Sequence, residues 1–153
     1  MQKTILFATI LALSACATPA PHTAKPAADT APATPTDALY RALGGADGVA
    51  RLVDAALARI HGDLHINLFF EHTDLADLRR LLIEQICAAS GGPCSYTGRS
   101  MEEAHSGMHL EKADFNAFVE DLVAAMNEVK LALATQQQVL ALFGPMRPQI
   151  VGQ

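Results

Sequence analysis

Val49, Leu52, Val53, Ala56, Leu57 and Ile60 recur at i, i+3, i+4, i+7, i+8 and i+11, a period that fits a helix with one buried face. A strand would throw alternate members of that set to opposite sides. The same period returns at Leu75, Leu78, Leu82 and Ile86, then from Phe115 through Phe118, Leu122 and Met126 to Val129, and again at Val139, Leu140, Leu142 and Phe143. Glycine and proline punctuate these runs. Gly44-Gly45 ends a short opening helix carrying Leu39, Tyr40 and Leu43, with Thr36 or Asp37 as its cap, and His61-Gly62, Gly91-Gly92-Pro93 and Gly144-Pro145 close three others. Thr73 or Asp74 caps the third helix. No segment alternates as a strand does, so the expected class is all-α, with abrupt turns at the double glycines in place of an up-down bundle.

The stretch "YTGRSMEEAHSGMHLEKADF", Tyr96 to Phe115, holds the most informative histidine. Ser100 and Glu103 form the Ser-x-x-Glu capping box that starts a helix, and Gly107 stops it, leaving His105 on roughly one and a half turns. Met101, four residues earlier, shares its face. The cysteines have no matching His-x₃-His or second Cys pair, so a structural zinc with four side-chain ligands is poorly supplied. Haem iron needs fewer protein donors, because the porphyrin supplies four. Phe70, Leu78, Leu82, Met101, Phe115 and Phe118 are the apolar residues available to wall such a ring.

A net charge of −5 over 153 residues, with Lys and Arg scattered, leaves no basic stripe for nucleic acid or for a polybasic membrane contact. The N-terminus carries a different signal. "MQKTILFATILALSAC" places Lys3 before an apolar run of about ten residues, the length of a signal-peptide core and too short to span a bilayer. Its end, Leu13-Ser14-Ala15-Cys16, resembles the lipobox of bacterial lipoproteins. That resemblance implies a signal peptide over 1–15, lipid attached to Cys16 and a membrane-anchored protein in the cell envelope. With Ala17 following, it implies the periplasmic side, at the outer membrane. An ordinary secretory signal is the alternative, and it exports the chain as well. Residues 16–36, rich in Ala, Pro and Thr, read as a tether with too little apolar surface to fold, leaving 37–153 as the domain.

Phe69 to Met108, "FFEHTDLADLRRLLIEQICAASGGPCSYTGRSMEEAHSGM", is similar to the group I truncated haemoglobins, and "LGGADG", "LVAAM" and "LFGPMRPQIV" fit the same family in the same order. The resemblance covers about Asp37 to Val151. It implies a globin shortened to helices stacked two-on-two around a b-type haem, with His105 as proximal iron ligand, Phe70 packed on the haem face and Met101 on the proximal side. Oxygen or another diatomic gas is the implied partner, with a reductase as a possible second one.

The chain also departs from the family. Relatives commonly carry a distal tyrosine on the second helix and Gln or His on the third; counting back from Phe70 puts Leu57 at the tyrosine position, and the third helix offers Leu78, Leu81 and Leu82. Gln85 is the polar residue within reach of that wall, and its bland reading is a partly exposed helix residue. An apolar wall favours a gas-binding protein over a haem enzyme for nitric oxide detoxification or weak peroxidase turnover. A globin frame that has lost haem is the third reading, against which His105, Phe70 and Met101 all speak. His61, His65, His72 and His109 read as surface or loop residues. Cys87 and Cys94, seven apart, read equally as a disulfide or as two buried thiols.

Overall fold

The computed structural model describes residues 37–153; the cap at Thr36, the tether and Cys16 lie outside them. Six α-helices follow in order: α1 (Ala38–Ala42), α2 (Gly45–Gly62), α3 (Leu75–Ala89), α4 (Met101–His105), α5 (Lys112–Glu128) and α6 (Leu133–Phe143). Two 3-10 turns complete them, Asn67–Phe70 and Gly144–Gln149. No strand occurs among the described residues, as the periodicity predicts.

Helix α2 is the centre of the packing, lying across α5 and α3, while α1 rests on α2 and α6, and α6 on α5. Its predicted stripe is the core: Val49, Leu52 and Val53 are sealed from solvent with Leu122, Met126 and Val139. The α1–α2 corner explains the glycines of "LGGADG". Gly44 sits at φ 93° and Gly45 at φ 66°, the left-handed region that favours glycine. A Cβ on Gly48 would stand 1.8 Å from the Leu43 carbonyl oxygen, so the chain reverses tightly enough for α1 to cover the end of α2.

Several expectations need local revision. Asp37 makes no side-chain cap on α1; its carboxylate pairs with Arg41 at 3.0 Å. Asp74 does cap α3, accepting from the amides of Ala76 and Asp77. Leu75, expected inward, is 46% exposed because it stands at the first turn, outside the groove that α3 fills. Gly144-Pro145 does not stop the C-terminal helix outright: the chain tightens into the 3-10 turn, where proline at an early position lacks only an N–H that would go unpaired anyway.

The cysteines form a disulfide, Cys87 to Cys94, with Cα atoms 5.7 Å apart. It staples the end of α3 to the connection leading into α4. A polar clamp holds the same connection one turn back along α3: the Glu84 carboxylate accepts from the Thr97 amide at 3.0 Å and its hydroxyl at 2.7 Å, and Arg80 reaches both Glu84 and Thr97. The far side of α4 is pinned by the C-terminus, where the Gly152 amide donates to Leu110 and the His109 amide to Gln153.

Candidate functional site

A cavity of about 480 Å³ opens between α3, α4, α5 and the two 3-10 turns. That is a volume suited to a cofactor-sized molecule. Phe70, Leu78, Leu82, Met101, His105, Phe115 and Phe118 all line it, which brings together the proposed ligand and the six apolar residues singled out in the sequence.

His105 ends up there through the capping box. The Ser100 hydroxyl accepts from the Glu103 amide, and the Glu103 carboxylate accepts from the Ser100 amide at 3.1 Å, fixing where the five-residue α4 begins. Two hydrogen bonds from Ser100 hold the Glu103 carboxyl below the ordinary carboxylate range. The preceding turn is built by packing: a Cβ on Gly98 would meet the Tyr96 hydroxyl at 2.3 Å, so only glycine lets that ring fold back, where its hydroxyl donates to the Arg99 carbonyl at 2.9 Å. Burial pushes the Tyr96 phenol up.

The imidazole has one defined partner. Nδ1 lies 2.6 Å from the Met101 carbonyl oxygen. A carbonyl only accepts, so Nδ1 carries the proton and Nε2 keeps its lone pair on a residue that lines the cavity. Such an N–H to carbonyl bond orients an imidazole and raises its basicity as a ligand. Among the described residues no three His, Cys, Asp or Glu side chains are grouped to hold a metal ion, so a metal at His105 would need most of its donors from elsewhere.

Of the two residues expected on the distal side, Gln85 lines the cavity and Leu57 does not. Leu57 is partly buried against the central core and is not on the cavity wall. Ile60, three residues on and about 60° round the helix, is the α2 residue that reaches the cavity. Gln85 does line the cavity, but its amide nitrogen lies 3.4 Å from the Met101 sulfur and 3.5 Å from the Met146 sulfur, so its donors rest on the first residue of α4 and on the C-terminal 3-10 turn. The wall offered by α2 and α3 is mostly hydrocarbon, Ile60, Leu78, Leu81 and Leu82, with Asp77 and Gln85 as its polar members.

The sequence reading missed the contribution of the C-terminus. Phe143, Met146 and Ile150 line the cavity, with Phe143 tilted on Phe118 at a centroid distance of 5.7 Å. Their spacing of three and four residues was the available signal. Polar side chains gather at the rim, among them His72, Asp77, Arg99 and Asp114. His65 is exposed, as expected, and also donates from Nε2 to Asp114 at 2.9 Å, tying the segment before the Phe69-Phe70 turn to the start of α5. His61 and His109 are exposed.

An all-helical domain with the imidazole of a short helix presented to a mainly apolar chamber has the architecture of a globin. The chain belongs to the bacterial-like globin family, whose model matches residues 38–151. It is 34% identical over 110 residues to the group 1 truncated hemoglobin GlbN of Synechocystis, covering 69% of this chain and 89% of that protein. The group 1 truncated hemoglobin of Tetrahymena pyriformis is 27% identical over 74% of this chain and 94% of its own length. The crystal structure of the Tetrahymena protein in its Fe(III) form superposes with a TM-score of 0.73, covering 75% of this chain and 98% of that one. A 2/2 hemoglobin from Synechococcus with covalently attached heme gives 0.70 at 28% identity, covering 75% and 98% of the two chains. The fold is that of the truncated two-on-two globins.

Proposed function

We propose that the cavity holds one b-type haem, that His105 is its axial ligand, and that the protein binds a diatomic gas such as oxygen in the cell envelope. The observation that carries this reading is the 2.6 Å approach of His105 Nδ1 to the Met101 carbonyl oxygen, which makes Nδ1 the donor and leaves Nε2 for iron. Phe70, Phe115, Phe118, Leu78 and Leu82 supply the apolar surface that a flat macrocycle requires. The chain lacks a Cys-x-x-Cys-His attachment sequence, which favours noncovalent binding. When bound, haem supplies an iron centre with a position for the gas. The residues then decide selectivity, and the hydrocarbon of Ile60, Leu78, Leu81 and Leu82 gives a polar ligand no hydrogen-bond donor. This favours reversible binding of weakly polar gases over nitric oxide or peroxide turnover, for which a polar group near the reacting atoms would be needed. Titrating the cofactor-free chain with haem and following the visible absorption tests the reading. Saturation at one haem per chain is expected; unsaturable binding would overturn it.

Lipidation at Cys16 and residence at the outer membrane, facing the periplasm, complete the proposal. The Cys87–Cys94 bridge supports an oxidising compartment. Mass spectrometry of the protein from membranes should find a lipid-modified Cys16 as first residue, and recovery from the cytosol with Met1 intact would refute the localisation.

A further inference from the structure

Three of the five methionines, Met101, Met108 and Met146, line the cavity, and two of them share one amide. Gln85 Nε2 lies 3.4 Å from the Met101 sulfur and 3.5 Å from the Met146 sulfur, spending both N–H donors on weak acceptors. The three residues come from α3, from the first position of α4 and from the C-terminal 3-10 turn. All three also line a second, open depression on the outer surface, alongside Ala88, Leu142 and Pro145. They therefore form a partition with the cavity on one side and a solvent-open depression on the other. Met108 lines the cavity alone, and Met126 is sealed in the core at 0% exposure.

We propose that the Met101–Met146 pair is an oxidation site for hydroperoxides, with Gln85 as the group that assists oxygen transfer. A sulfur lone pair attacks one peroxide oxygen and forms the S–O bond as the O–O bond breaks; after a proton shift the other oxygen leaves as water. Sulfur loses two electrons and hydrogen peroxide gains them. The oxygen arriving on sulfur carries negative charge and accepts hydrogen bonds far better than a thioether, and the Gln85 donors already stand beside both sulfurs. A sulfoxide reductase, drawing two electrons from thiols and releasing water, restores the thioether. The location gives the modification a consequence, since Met101 opens the short helix whose first carbonyl orients His105. A sulfoxide there puts a strong dipole at the base of that helix.

The inference stands apart from the haem reading, because it is tested on the cofactor-free full chain, whose ability to bind haem is read separately by absorption. Limiting hydrogen peroxide is added and the gain of one oxygen atom is followed at each methionine by peptide mapping. Met101 and Met146 should oxidise several-fold faster than Met108 and on the order of tenfold or more faster than Met126. Gln85→Leu should slow Met101 and Met146 selectively and leave Met108 unchanged. Equal rates at Met101, Met146 and Met108 in the wild type, or a Gln85→Leu variant with unaltered rates, would overturn the proposal.

Discussion

Replacing Cys94 by alanine removes the staple between α3 and the connection to α4 at little cost in packing, because Cys94 is only partly buried whereas Cys87 is 1% exposed. The bridged residues are seven apart, and in the chain-entropy treatment a loop of that size contributes about 2.4 kcal/mol by restricting the unfolded chain. The native connection has a second hitch, the Glu84 carboxylate on Thr97, so Cys94→Ala should fold with the cavity intact. Its urea midpoint should fall by roughly 1–2 M for a typical denaturant dependence. Reductant should lower the wild type by a similar amount and leave the variant unmoved. The assay is equilibrium urea unfolding followed by far-ultraviolet circular dichroism, with thiols counted in the denatured state. An unchanged midpoint, or two reactive thiols in untreated wild type, would refute the reasoning.

Other consequences are equally direct. Phe143 is 6% exposed and stacks obliquely on Phe118, so Phe143→Ala should cost about 3–5 kcal/mol in chemical denaturation and weaken haem retention measured by transfer to an acceptor globin. Leu82→Gln places a donor on the hydrocarbon wall; stopped-flow measurement should show oxygen release slowed roughly fivefold, for a hydrogen bond worth about 1 kcal/mol, with carbon monoxide release little changed. Glu103 has its carboxyl held below its ordinary value by Ser100, so its contribution to α4 is present above the unfolded carboxylate range and is lost as pH falls through the depressed folded value. Acid titration of the haem-loaded protein, followed by haem absorption, should show loss at higher pH once Glu103→Ala removes the carboxylate half of the capping box.

Local chemistry made much of the sequence informative, though the Asp37 cap and the Gly144-Pro145 stop did not hold. The α2 stripe, the Asp74 cap and the Ser100–Glu103 box each depend on residues within a few positions of one another, and each is present as read. His105, Phe70 and Met101 came together through the family resemblance, whereas Leu78, Leu82, Phe115 and Phe118 were nominated as apolar helix residues, and all seven line the cavity. Counting residues along α2 was a weaker guide. Leu57 and Ile60 differ by about 60° round the helix, and which of them meets the cavity depends on how α2 rolls against α3 and α5. Gln85 was visible as a polar residue on an apolar face, but its partner Met146 lies 61 residues away, beyond any local pattern. The disulfide was undecided for the same reason, since spacing alone does not give the 5.7 Å between Cα atoms that permits it.

The most direct test is the visible spectrum of the haem-loaded, reduced protein under carbon monoxide, taken for the wild type, for His105→Gly, and for His105→Gly with added imidazole. If Nε2 of His105 is the iron ligand, the wild type should give the spectrum of a histidine-ligated haem, the variant should lose it, and free imidazole should restore it. A His105→Gly protein with the wild-type spectrum before imidazole is added would contradict the assignment.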